Sequence, residues 1–181
     1  MDYQAYYDDD LNITWAANAN INGLMTWSAA NAWAAGLTIG GFSDWRLPTT
    51  TQPDASCSNQ NTFGGSVLQG FGAGCTGSEM GHLFNVESIT AADPGVFNNV
   101  HPLFYLSGTE FAFSAGGAWN FNFIDFGGGS QNADFKGLNR LAWAVHSGDV
   151  SAPAAVPEPS TMLLMGSGLV CLLAWRCCRR G

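Results

Sequence analysis

Apolar and polar positions change their period twice along the chain. Near the start, Leu11-Asn12-Ile13-Thr14-Trp15 alternates and predicts a strand. Met25 to Leu37 is alanine-rich and predicts a helix, with Thr26 as its cap and Gly36 as its stop. In that helix Trp27, Ala30 and Ala34 share one face, with Trp33 and Leu37 beside it. Thr50 to Gly74 is rich in Ser, Asn, Gln, Gly and Thr and predicts a long irregular loop. Gly77 to Phe84 opens a second, short helix with Ser78 at its cap position. From Phe104 period two returns, in Phe104 to Glu110, Ala118 to Phe123 and Leu141 to His146. Glycine turns at Gly116-Gly117 and Gly127-Gly128-Gly129 join these runs into an expected antiparallel meander. The fold class expected for residues 1–150 is therefore α+β, with short helices, a twisted antiparallel sheet and long loops.

The last 31 residues follow another pattern. Residues 151–160 are a Pro-rich linker ending in Pro157-Glu158-Pro159, where proline forbids helix interior. Residues 161–175 carry no charge and include Leu163, Leu164, Leu169, Leu172, Leu173 and Trp175. As a helix they span roughly 22 Å, short of the roughly 30 Å hydrocarbon core, a gap that snorkelling arginines or bilayer thinning can close. Residues 176–181 form a basic end with Arg176, Arg179 and Arg180, which favours the cytoplasmic side and puts the body outside it. A single C-terminal membrane helix is therefore expected. The order of Pro-Glu-Pro, apolar helix and arginine cluster resembles the PEP-CTERM sorting signal of Gram-negative bacteria. That resemblance implies Pro157, Glu158 and Pro159 as recognition residues, an exosortase as partner, and transient anchoring in the inner membrane with a periplasmic body. Delivery to the cell surface or extracellular matrix would follow. Export needs a leader, and Met1 to Ala5 holds neither a basic nor an apolar region, so a missing N-terminal stretch is expected.

Charge narrows the partners. The chain carries 6 Lys+Arg and 14 Asp+Glu, net −8. Before residue 151 there are only Arg46, Lys136 and Arg140 against 13 acids, which leaves the body near −10. Such a surface repels nucleic acid, and none is expected as a partner. Charged residues are sparse at 11%, while 23 Gly, 12 Phe and 7 Trp are abundant, which argues for strands and turns over disorder. Of the five cysteines, Cys57 and Cys75 lie in the body. In an exported domain they are expected to form a disulfide worth about 3 kcal/mol by loop entropy. A zinc site is the rival reading, on a weaker spacing.

Candidate chemistry is scattered. Asp8, Asp9 and Asp10 offer oxygen ligands to calcium, although adjacent aspartates alternate faces; no other cofactor is expected. Arg46, between Trp45 and Leu47, is expected to be a partly buried structural cation paired with Asp44 or Glu79. Trp119, Asn120 and Asn122, together with Trp143, are candidates for a platform of aromatic and amide groups that holds sugar rings. His82, His101 and His146 are dispersed, and no GxSxG or HExxH motif occurs. Glu79 and Glu110 are the one carboxylate pair considered for glycoside hydrolysis. The chain is expected not to be an enzyme.

Several blocks in order, Asp8 to Trp15, Met25-Thr26-Trp27, Trp45-Arg46-Leu47-Pro48-Thr49, Ser78 to Leu83, Leu106 to Glu110 and Ala142 to Val145, resemble the Lcl C-terminal domain from about Tyr7 to Val150. That domain is similar to the C-type lectin and formylglycine-generating-enzyme folds, so the resemblance implies a C-type-lectin-like body and glycan binding. Glu-Pro-Asn, a sugar-loop motif of calcium-dependent lectins, is absent, and Trp119-Asn120 runs into Phe121 instead of an aspartate. The expected function is an exported surface or matrix protein, sorted by an exosortase, that binds carbohydrate or exopolysaccharide or mediates adhesion. A passive matrix component is the alternative, and an enzyme of the formylglycine-generating fold a more distant one.

Overall fold

The computed structural model describes residues 4–124 and 129–150. The Pro-Glu-Pro motif, the apolar stretch 161–175, the basic end and most of the Gly127–Gly129 turn lie outside the described residues. Among the described residues no helix is long and apolar enough to cross a membrane.

Among the described residues, two antiparallel sheets and two short helices make the body. The strands are β1 (Ala5–Asp8), β2 (Ile13–Ala16), β3 (Asn59–Phe63), β4 (Val67–Ala73), β5 (Phe104–Glu110), β6 (Gly117–Asn122), β7 (Ser130–Phe135) and β8 (Val145–Ser147). The helices are α1 (Trp27–Ala35), between β2 and β3, and α2 (Glu79–Asn85), between β4 and β5. The smaller sheet has the order β1-β2-β8 and the larger one β3-β4-β7-β6-β5. The smaller sheet ties the two ends of the body together, because Thr14 pairs with His146 and Trp15 with Val145.

α1 begins and ends where the alanine run predicts. Gly36 closes it by donating its N–H to the carbonyls of Ala32 and Trp33. The Thr26 and Ser78 hydroxyls make no cap bond, however. The Ser78 hydroxyl is committed elsewhere: it accepts from the Thr51 N–H at 3.0 Å and donates to Gln131 Oε1. α2 contains Gly81 because a Cβ there would sit 2.5 Å from the Cys75 carbonyl oxygen, so the helix can approach that segment only without a side chain.

The expected loop at residues 50–74 is corrected. Its second half is the β3–β4 hairpin, turned by Gly64 and Gly65 at φ of +57° and +79°. Its first half is pinned by polar side chains. The Gln52 amide exchanges two hydrogen bonds with the Gly70 backbone, and the buried Asp54 carboxylate accepts from the N–H groups of Ser56 and Gly77. Leu141 to His146 also departs from the expected meander. Its strand β8 joins the smaller sheet through β2, and the meander's third strand is β7.

The main core gathers Trp15, Trp45, Trp143, Tyr105, Phe121, Phe123, Met80 and Leu83 between the sheets and α2. A second cluster of Met25, Ala30, Ala34, Leu47, Leu106 and Ala142 packs α1 against the other side of the larger sheet. β6 lies between β5 and β7 and has both faces covered. That burial decides the fate of the sugar platform.

Candidate functional site

Trp119 and Asn120 are each 1% exposed, so the expected sugar platform on them is corrected. The Trp119 ring packs against Phe71 and Phe111 at centroid distances of 4.6 and 5.6 Å. Asn120 stands opposite Leu106, which belongs to the cluster under α1, so its face of β6 is covered. Neither end of the Asn120 amide finds a hydrogen-bond partner among the described residues. Asn122 is half-buried, and its Oδ1 accepts from the Ile124 N–H at 2.9 Å. Trp143 is fully buried and donates its indole N–H to the Ala16 carbonyl at 2.8 Å.

Accessible aromatic surface lies a few residues away. Phe63, at the end of β3, stacks on Phe113 at 5.1 Å, and Phe111 meets both rings edge-on. Beside them a shallow hollow of about 200 Å³ is lined by Phe111, Ser114, Gly117, Ala133, Asp134 and Phe135. Phe135 closes β7 and is 74% exposed. It pairs in register with Gly117, whose missing side chain opens the hollow; a Cβ there would sit 3.2 Å from the Phe111 Cβ. At the polar edge Arg140 holds the Asp134 carboxylate at 2.8 Å. Lys136 lies 4.4 Å over the Trp27 ring and 3.1 Å from the Glu110 carboxylate. The arrangement can take an apolar ring face on Phe135 and offer a carboxylate and a hydroxyl to polar groups around that ring. A larger hollow of about 320 Å³, lined by Gln4, Ala17, Asn18, Ile21, Ile39 and Asn98, has amides but no aromatic ring.

The two sequence-designated structural pairs are both formed. Cys57 and Cys75 make a disulfide, and both are buried. Arg46 grips Glu79 with both terminal nitrogens, at 2.7 and 2.8 Å; Asp44 instead has a left-handed backbone at φ +67°. Glu79 and Glu110 thus each have a cation of their own.

The aspartate triplet does not wrap around a point. Asp8 is buried at the end of β1, where its two oxygens accept from the Leu11 N–H and the Trp15 indole N–H at 2.9 and 3.2 Å, while Asp9 and Asp10 face solvent. The third neighbour is Glu87, just beyond α2. Burial, then the negative charge of Asp8 and a hydrogen bond with it, then Asp10 and Asp9, push the Glu87 carboxyl up from 4.5 to about 7. A carboxyl raised in the folded state holds a proton that the unfolded chain has released. Its stabilising effect is therefore complete below pH 4.5 and is lost as pH rises through about 7. With 32% of the side chain in water, the expected loss is about 1–2 kcal/mol. Glu87→Gln should remove that component. Urea midpoints in chelator, at pH 4.5 and 7.5, should fall more across the window for the parent than for the variant; parallel changes would refute it.

Sequence reasoning missed Phe111, Asp134 and Phe135. The alternation of Gln131-Asn132-Ala133-Asp134-Phe135 was the available signal. A family model for the Lcl C-terminal domain matches residues 4–146, and one for the PEP-CTERM protein-sorting motif matches residues 155–180. No curated protein and no solved structure matches the chain.

Proposed function

We propose that this chain, which belongs to the Lcl C-terminal domain family, is a carbohydrate-binding module carried to the cell surface. Its PEP-CTERM motif supports export and processing by an exosortase at the membrane. The finer itinerary we propose is a periplasmic body anchored briefly in the inner membrane, then released to the surface or matrix of a Gram-negative cell. A disulfide in the body suits that oxidising route.

One observation carries the binding reading: a largely exposed Phe135 borders a hollow that pairs aromatic rings with Asp134 and Ser114. Drug-sized pockets run to roughly 300–1,000 Å³, so this hollow suits one sugar residue of a longer glycan. A neutral or basic polysaccharide is the fitting class, because a body near −10 disfavours a sulfated one. The C-type-lectin-like architecture implied by the family accords with paired terminal strands and two short helices beside a second sheet. Binding without catalysis is our reading.

The test is a panel of bacterial polysaccharides presented to the full chain in detergent. Saturable binding is expected, and Phe135→Ala should weaken it about tenfold, or about 1.4 kcal/mol. Gly117→Val, which fills the hollow, should do the same. Unchanged affinity in both folded variants would move the site elsewhere. No binding by the parent would leave a passive matrix component.

A further inference from the structure

Asp8, His82 and Glu87 come from the end of β1, the middle of α2 and the segment after it, yet one ligand atom from each lies within 4.8 Å of the others. Asp10 joins them at the rim. His82 Nε2 is 3.5 Å from Glu87 Oε1 and 3.7 Å from Asp10 Oδ2. We propose that Asp8, His82 and Glu87, with Asp10 as a fourth donor, form a binding site for zinc or a similar transition-row divalent cation.

Three observations carry this. First, the spacing suits ligands of one ion better than it suits ion pairs. A charge-assisted hydrogen bond closes to about 2.7–2.9 Å. Nitrogen and oxygen donors at 2.0–2.1 Å from a tetrahedral zinc stand about 3.3 Å from one another. The observed 3.5 and 3.7 Å fall near that edge length. Second, His82 Nε2 is shielded from solvent and has no hydrogen-bond partner among the described residues, although the side chain as a whole is 16% exposed. A buried nitrogen without a partner is costly unless it meets a proton acceptor or a metal. Third, the donors are held from behind. The Leu11 N–H and the Trp15 indole fix both Asp8 oxygens, the outer support that ligand carboxylates need. The chain after α2 folds back so that the Val86 and Glu87 N–H groups both donate to the His82 carbonyl, which fixes Glu87 relative to His82.

The choice of ion follows from the donors. Calcium takes six to eight oxygens, and a buried imidazole nitrogen is a poor ligand for it. Imidazole with carboxylates suits zinc and its neighbours. This replaces the calcium reading of Asp8, Asp9 and Asp10 with a set in which Asp9 has no part. Carboxylates at one point repel each other, and a divalent cation offsets that where one imidazole does not. Among the described residues the other cluster of this kind, Asp54 with Cys57 and Cys75, has both sulfurs joined in the disulfide and offers no thiolate.

The test titrates zinc chloride, and separately calcium chloride, into the chelator-stripped full chain in detergent. Cys171, Cys177 and Cys178 are replaced by serine so that tail thiolates do not compete. One equivalent of zinc should bind, at least 100-fold more tightly than in His82→Ala or Glu87→Gln, and saturating zinc should raise the melting temperature of the parent alone. If His82→Ala fails to fold, Glu87→Gln and Asp10→Asn carry the comparison. Absence of one-to-one zinc binding, equal affinity in the folded variants, or calcium bound as tightly as zinc would each overturn the site.

Discussion

Trp143→Ala is expected to cost about 3–5 kcal/mol, the range for emptying a buried tryptophan site. Thermal unfolding should then shift downward by roughly 6–20 °C in a domain of this size. The side chain is fully buried and its ring meets Trp15, Phe97, Tyr105 and Phe123 at centroid distances of 5.0 to 6.0 Å. Its indole N–H also donates to the Ala16 carbonyl, which joins the segment before β8 to β2. Trp143→Phe separates the two contributions. It keeps much of the volume, so the remaining deficit reports the orphaned carbonyl and the smaller ring, and it should be well under half the alanine cost. A loss below 1 kcal/mol in Trp143→Ala would mean that the rings around it are not a single packed core.

The same residue shows what sequence could and could not reveal. Period two across Leu141 to His146 was legible because alternation is local. Its partner was not, because the pairing of Thr14 with His146 joins the two ends of the body. β5 and β6 were legible for the same local reason, but the meaning of Asn120 was lost. A polar residue between apolar ones marks a wet face only where one face is wet, and α1 covers the second face of this sheet. The β3–β4 hairpin was hidden by polar composition, since Asn59 to Thr62 is exposed throughout; the Gly64-Gly65 pair between Phe63 and Val67 was the missed signal. Residues brought together by packing alone left no pattern. His82 and Glu87 lie more than seventy positions from Asp8, so the sequence showed a triplet of aspartates where the fold builds a mixed cluster.

Glu79 is where a sequence expectation and the geometry meet most directly, and its removal should have the second largest effect. The carboxylate accepts from both terminal nitrogens of Arg46 and from the Thr49 N–H at 2.7 Å. Its position in the first turn of α2 adds the favourable interaction of an acid with a helix N-terminus. Through Arg46, whose backbone pairs with Val145, this group ties α2 to the smaller sheet. The adjoining Pro48 carbonyl accepts from Ser107 and Gly108 of β5, which brings in the larger one. Removing one member of a buried pair costs about 3–5 kcal/mol; with Arg46 33% and Glu79 13% exposed, about 2–3 kcal/mol is expected for Glu79→Ala. Most of that loss comes from leaving Arg46 and the Thr49 N–H without an acceptor. The double change Arg46→Met with Glu79→Leu should therefore be less harmful than Glu79→Ala alone, because no charge is stranded. Urea unfolding of Glu79→Ala, of the double change and of its two single changes, Arg46→Met and Glu79→Leu, decides it. If the double change costs as much as the sum of its two single changes, the pair is a surface decoration and the sheets are joined by packing alone.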